Sequence, residues 1–247
     1  MSRSPAFHEL MALLGVGDLH PGGLQATRFL LSELARHRVR SVLEVGAGMG
    51  LTTERMIRSG LEVTAVEPNP ILRRLLEERV GIAAHETSFE AFDDRDATYD
   101  AVLAEGVLYK LGPASSAAKV HRLLRPGGIL AFVDMLWTRS AKADVVAFLH
   151  DQTNEVFGIP MVPREVVTWE EWKGVLRELG FSEIVTKAID PVELPADGRS
   201  RRARIALGLL KHPGLLPAFL GYRSYRRIPW APPEWLESLT SVWQRGA

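Results

Sequence analysis

The chain of 247 residues reads as an open, doubly wound α/β fold with a mainly parallel sheet. Three observations predict it. Strand-like and helix-like segments alternate from residue 41 to residue 189, the order that buries a parallel sheet between two layers of helices. The first strand runs straight into the glycine turn Gly46-Ala-Gly-Met-Gly50 and then a helix, and sheets of this kind bind ligands beyond their strand C-termini. The second strand ends in an acid, Glu67, about 20 residues beyond the turn, where a ribose-bearing ligand needs one.

The elements follow in order. Ser41-Val-Leu-Glu-Val45 is a short β-branched run, read as a buried strand. Residues 51–59 are helical, with Gly60 as C-cap. Glu62-Val-Thr-Ala-Val66 is the second strand. Asn69 and Pro70 start a helix as N-cap and first helical residue; it runs over 71–80 and stops at Gly81. Residues 82–85 form a weak third strand, and Tyr99-Asp-Ala-Val-Leu-Ala104 a fourth. A helix over 114–124 ends at Arg125-Pro-Gly-Gly128, read as a turn that no strand continues through. Ile129-Leu-Ala-Phe-Val133 is the fifth strand. Thr168 and Glu171 make a capping box for a helix ending at Gly180, and residues 183–189 form a sixth strand.

Three regions lie outside this alternation. Residues 1–38 form an N-terminal cap of two helices joined by residues 15–23. Residues 137–167 are a lid insertion in a core of residues 39–190. Residues 191–247, rich in Pro, Arg and aromatic residues, form a C-terminal extension, read as helical and packed on the core or at an interface, a homodimer contact included.

Composition excludes several function classes. Apolar residues at 46% and charged residues at 24% are those of a globular protein. Zero formal net charge gives the whole chain no pull toward nucleic acid or membrane. The absence of cysteine removes disulfides, thiolate metal sites and cysteine nucleophiles. Pro5, His8 and Glu9 interrupt any signal-peptide pattern, and no apolar run approaches the roughly 18 residues of a membrane span. A cytoplasmic protein is expected. No metal-ligand spacing is present, so no metal is predicted.

A dinucleotide fingerprint needs its third glycine where Leu51 stands. The pattern here is instead Glu44-x-Gly46-x-Gly48-x-Gly50, which resembles motif I of class I S-adenosylmethionine-dependent methyltransferases, of the small-molecule, methyltransferase-11/25-like type. The resemblance covers residues 39–189, supported by Glu67, the residue 99–109 stretch and the Arg-Pro-Gly-Gly turn. It implies a Rossmann-like sheet of seven strands and S-adenosylmethionine as cofactor, with S-adenosylhomocysteine as product. Glu44, Gly46, Ala47 and Gly48 would bind the cofactor. So would Glu67, whose carboxylate can accept both ribose hydroxyls, and the adjoining Pro68. Glu86-Thr-Ser-Phe-Glu90 departs from the family's commoner Gly-Asp form at the adenine; Ser88 and Phe89 are the candidates there. His20-Pro-Gly-Gly-Leu-Gln-Ala-Thr27 resembles a segment preceding motif I, with Thr27 placed to bond the methionine carboxylate.

The reaction implied is displacement at a sulfonium methyl, in which alignment supplies most of the rate. An acceptor that must lose a proton needs a base. Glu105 follows the fourth strand directly, either receiving the cofactor ammonium or acting as base; Tyr109 and His20 are the other catalytic candidates. Trp137, Trp169 and Trp172 are read as roofing an acceptor pocket or as packing residues. The arginines at 199–204 and 223–227 could contact RNA or an anionic substrate, but neutral overall charge and the absence of an Asn/Asp-Pro-Pro-aromatic run weigh against nucleic acid. A small-molecule acceptor is expected, against an RNA or protein methyltransferase or a non-catalytic cofactor binder.

Overall fold

A computed structural model describes residues 5–158, 160, 162–189, 198–224 and 233–246. Two helices, α1 (Phe7–Leu13) and α2 (Gly23–Arg36), precede β1 (Ser41–Val45). Then come α3 (Leu51–Arg58), β2 (Glu62–Val66), α4 (Pro70–Val80), β3 (Tyr99–Glu105), α5 (Pro113–Leu123) and β4 (Leu124–Trp137). They are followed by α6 (Ala143–Phe157), α7 (Trp169–Glu178), β5 (Phe181–Ala188), α8 (Gly198–Lys211), α9 (Leu216–Ser224) and β6 (Leu236–Arg245).

Local chemistry sets several boundaries. Asn69 Oδ1 accepts from the amides of Ile71 at 2.9 Å and Leu72 at 3.1 Å, and Pro70 supplies a first residue with no amide to waste. Thr168 Oγ1 accepts from the Glu171 amide, and Glu171 Oε2 returns a bond to the Thr168 amide at 2.8 Å. A cap of either kind contributes about 1 kcal/mol.

The sheet order is β2-β1-β3-β4-β6-β5. β2, β1, β3 and β4 are parallel, and β6 runs antiparallel between β4 and β5. The architecture is the expected Rossmann-like α/β type, with three corrections. Six strands are present among the described residues, not seven. The stretch 82–85, with two alanines beside Gly81, makes only a single bridge, His85 to Val66. Arg125-Pro-Gly-Gly128 is not a terminating turn but an irregularity inside β4: Leu124 already pairs with Tyr99, and Ile129 resumes opposite Ala101. The C-terminal extension is helical in α8 and α9, but its last element enters the sheet as β6. Ser238 to Trp243 are buried on both faces, covered by helices, so their polar and apolar residues alike lie inside.

Side chains alternate across the sheet. Val42, Ala101, Leu103, Ala131 and Val133 face α2 and α3, through Leu30, Leu34 and Met56. Leu43, Val102, Leu130 and Phe132 face α5 and α7. Trp169 and Trp172 belong to this second core: the Trp169 ring lies 5.7 Å from Phe132 and 5.9 Å from Trp243, so both residues pack the sheet and do not roof a pocket. Trp137 is fully buried at the root of α6 with Val146 and Leu149, its Nε1 donating to the Pro163 carbonyl.

The two ends of the described chain meet. Leu10 and Met11 of α1 and Leu14, its C-cap, pack against Ile205 and Leu209 of α8 and Phe219 of α9. A Cβ on Gly208 would stand 2.7 Å from Leu14 Cα, so only glycine allows α8 to lie this close to α1. The Arg226 and Arg227 positions lie outside the described residues, as do the side chains of Arg199, Tyr222 and Arg223.

Candidate functional site

The crevice opens beyond the C-terminal ends of β1, β2 and β3. β1 ends at Val45, and the amides of Gly46 and Ala47 turn back to the Val66 carbonyl at 2.9 and 3.1 Å, tying the glycine turn to β2. Gly46 and Gly48 have φ of +68° and +57°, in the left-handed region that favours glycine. They differ in surroundings. A Cβ on Gly46 would strike Val107 Cγ2 at 2.6 Å, whereas one on Gly48 would meet nothing within 4 Å. The backbone at Gly48 therefore borders open space.

Glu67 stands at the rim of that space. Its Oε2 accepts from the Gly48 amide and its Oε1 from the Asn69 amide, both at 2.8 Å. Burial holds its carboxyl above the ordinary value, opposed by these two amides and by the Lys110 charge. Pro68 is exposed beside it. The network continues outward: Asn69 Nδ2 donates to Glu9 Oε1 at 2.8 Å, and Glu9 Oε2 accepts from the Ala6 amide at 2.7 Å. Helix α1 is thereby anchored to the residue that also fixes Glu67.

Two further acids converge from the other side. Glu44 is buried, and Thr53 Oγ1 of α3 donates to its Oε2 at 2.6 Å. Burial pushes the Glu44 carboxyl up to about 8 against that bond, with the charges of Glu105 and Glu67 adding to the rise. Glu105, the last residue of β3, accepts from Thr27 Oγ1 of α2 and from Thr52 Oγ1 of α3, both at 2.7 Å. His20 Nε2 lies 3.5 Å from Glu105 and 3.2 Å from Thr27 Oγ1, while Nδ1–H donates to the Pro21 carbonyl. Gly106 permits this approach, since its absent Cβ would sit 3.1 Å from His20 Cβ. The nearby Arg55 is held by Asp18 through two bonds of 2.8 and 3.0 Å. Three carboxyls thus stand around one glycine turn, close enough for the charges of Glu105 and Glu67 to act on Glu44.

The structure brings together His20, Thr27, Glu44, Gly46, Ala47, Gly48, Glu67 and Glu105. It treats the rest differently. Phe89 is buried in the core beneath α5 and offers no open ring face, and Ser88 caps its own turn by accepting from the Ala91 amide. Tyr109 falls in a 3-10 turn (Leu108–Lys110), with its side chain outside the described residues. Sequence reasoning missed Thr52, Asn69, Glu9, His8, Lys110 and Asp134. Asp134 carried a usable signal, an acid at the C-terminal end of a strand; it is fully buried and its charge acts on Lys110. His8 of α1 is pulled down to about 4, chiefly by burial and then by Lys110.

Beside this crevice a cavity of about 250 Å³ lies under α6, lined by Lys110, His150, Pro160, Val162, Pro163 and Arg164. His150 Nδ1–H donates to the Val162 carbonyl at 2.9 Å, so in the neutral ring Nε2 keeps its lone pair. A larger cavity of about 340 Å³, lined by Arg38, Arg40, Asp100 and Arg125, is at the opposite, amino-terminal end of the strands and away from the crevice.

Known proteins share the sequence and the fold around this crevice. The methyltransferase domain family matches residues 43–132, the span from β1 into β4 that carries the glycine turn, Glu67 and Glu105. The matched span is similar to a methyltransferase domain. The chain is 26% identical over 191 residues to the uncharacterized methyltransferase YodH of Bacillus subtilis, covering 75% of this chain and 78% of that protein. It is 29% identical to an uncharacterized methyltransferase of Mycobacterium tuberculosis, over 71% of this chain and 76% of the other. In fold it resembles phosphoethanolamine N-methyltransferase 2 of Haemonchus contortus in complex with S-adenosyl-L-methionine, with a TM-score of 0.67 at 15% identity over 98% of this chain and 57% of that one.

The residues of this chain fit S-adenosylmethionine. The open side of Gly48 leaves main-chain space, and Glu67 keeps one lone-pair direction on each oxygen for a vicinal diol. Glu105, the last residue of β3, would face a bound ammonium, and Glu44 lies beneath the turn with its carboxyl raised to about 8.

Proposed function

We propose that this methyltransferase moves the methyl group of S-adenosylmethionine directly to a small-molecule acceptor seated in the cavity beneath α6. The observation that carries the reading is the convergence of Glu44, Glu67 and Glu105 on the glycine turn, with the Lys110 and His150 cavity next to it. When bound, the cofactor would supply an electrophilic methyl carbon, open to attack by an acceptor lone pair, on a positively charged sulfur that leaves as a neutral thioether.

The chain's own residues do the rest. Glu67 holds the ribose through two oxygens already oriented by amides. Glu105, fixed by Thr27 and Thr52, faces the amino-acid end, and His20 completes its setting. Glu44 balances charge from beneath the turn. Lys110 brings positive charge to the acceptor cavity, Arg164 at its wall is paired with Asp151, and His150 Nε2 is the proton acceptor within it. Helix α1 is tied to the crevice through Glu9 and Asn69, and α6 contributes His150 to the cavity, so donor and acceptor sites are held by fixed elements, which makes proximity effective. A cavity of about 250 Å³ suits an acceptor of modest size and not a polymer.

The test couples two measurements. Isothermal titration with S-adenosylmethionine reports the crevice, and transfer of a labelled methyl group into a fractionated small-molecule extract reports the acceptor. Label appearing only in RNA or protein would overturn the acceptor assignment. Wild-type label transfer unchanged in both His150→Asn and Lys110→Gln would overturn the cavity assignment.

A further inference from the structure

Between Asp197 and Glu234 the chain holds eight Lys and Arg and no Asp or Glu. The whole chain has no net charge, so the remainder carries an excess of eight acids. Charge is segregated onto the segment that contains α8 and α9.

The same segment holds most of the exposed apolar side chains. Leu207 and Leu210 of α8 are 54% and 80% exposed, and Leu216 and Leu220 of α9 are 45% and 51% exposed. Phe148 of α6 is the other such side chain among the described residues. These leucines are not core residues out of place. The inward faces of the same helices already cover α1 through Ile205, Leu209 and Phe219, joined by Leu215 of the turn between them. Gly208 seats α8 directly on the α1 backbone, which leaves Leu207 and Leu210 on the open side. Their spacing at i,i+3, and that of Leu216 and Leu220 at i,i+4, puts each pair on one helical face.

We propose that α8 and α9 form a docking surface for an anionic lipid bilayer, with their leucines among the acyl chains and the exposed Arg202 and Arg204 of α8 against headgroup phosphates. A lipid surface satisfies both halves of the segment. RNA would pair with Arg202 and Arg204 yet leave the leucines in water, and a second copy meeting the first across a twofold axis would set one cationic segment against another. No helix among the described residues is long and apolar enough to cross a membrane, so the contact is peripheral. The sequence-based expectation of no membrane partner came from the balance of the whole chain, which conceals the segregation. Because α1 lies between these helices and the Glu9–Asn69–Glu67 network, a docked chain holds its cofactor crevice close to the bilayer.

The full chain is sedimented with extruded vesicles of equal parts phosphatidylglycerol and phosphatidylcholine, and with phosphatidylcholine alone, at low and high salt. Partition onto the anionic vesicles is expected to be roughly tenfold or more stronger at low salt and to fall steeply as salt rises. The Leu207→Glu, Leu210→Glu double variant loses a further factor of about ten or more, and Arg202→Ser, Arg204→Ser loses the preference for anionic lipid. Both variants keep wild-type affinity for S-adenosylmethionine, which shows them folded. Equal partition onto both compositions, no partition onto either, or full binding by the leucine variant would each overturn the proposal. So would a lipid-free dimer in analytical ultracentrifugation that the leucine substitutions dissolve.

Discussion

Replacing Glu67 by alanine tests the crevice at its narrowest point. Each carboxylate oxygen is committed to one backbone amide at 2.8 Å, Gly48 on one side and Asn69 on the other. Each retains one direction for a ribose hydroxyl. A hydrogen bond to a charged group contributes about 1.5–3 kcal/mol, so loss of two should weaken binding by about 3–6 kcal/mol, a factor of roughly 10² to 10⁴. The assay is isothermal titration with both S-adenosylmethionine and S-adenosylhomocysteine. The two share the sugar and differ at the sulfur, so Glu67→Ala should weaken both by the same factor. The folded state also loses the tie between the glycine turn and α4, and a melting curve of each variant separates that loss from the binding effect. Affinity within threefold of wild type in a folded variant, or a loss confined to the sulfonium form, would refute the assignment of Glu67 to the ribose.

The remaining predictions concern charge and packing. Glu105→Gln keeps acceptor and donor capacity toward Thr27 and Thr52 but removes a charge, so S-adenosylmethionine and S-adenosylhomocysteine, which share the ammonium, should each weaken by about 1–3 kcal/mol; isothermal titration with each measures the loss. Glu44, raised to about 8 in the cofactor-free fold, holds a proton that the unfolded chain releases near 4.5. Its contribution to stability therefore declines as pH rises from about 4.5 to about 8. A bound cation favours the ionised form, so cofactor affinity should increase over that window with proton release. Titrations in buffers of different ionisation enthalpy will detect the released proton, and Glu44→Gln should abolish it. Trp243→Ala removes a fully buried ring between Trp169 and the sheet and should cost about 3–5 kcal/mol, lowering Tm by about 6–20 °C in differential scanning calorimetry.

What the sequence made legible was local. The glycine turn, the Asn69-Pro70 helix start and the Thr168–Glu171 capping box each depend on residues within a few positions of one another, and each formed where expected. The alternation of strands and helices likewise located β1, β2, β3 and β5. What stayed hidden was tertiary. β6 is rich in Ser and Thr, and its burial on both faces comes from insertion between β4 and β5, not from its own pattern. Trp169 and Trp172 at i,i+3 describe a packing face and a pocket wall equally well until Phe132 and Trp243 are seen beneath them. Glu9 meets Asn69 from 60 residues away, with no local signature. The site itself was partly readable, because Thr27, Glu44, Glu67 and Glu105 stand at element ends that border the crevice, whereas Phe89 looked like a ligand contact and is a core residue.

The placement of β6 also dictates an order of assembly during synthesis. Within the sheet β5 touches only β6, and β6 is made almost fifty residues later. On a ribosome, β1 to β4 can pair as they emerge, while β5 must wait unpaired with Trp169 and Trp172 of the preceding helix half covered. Helix α1, among the first residues translated, waits in the same way for α8 and α9. Neither the sheet nor the cover of the crevice can close until the segment ending in β6 has left the exit tunnel, so a nascent chain stalled before residue 236 should be an open, protease-sensitive half-fold.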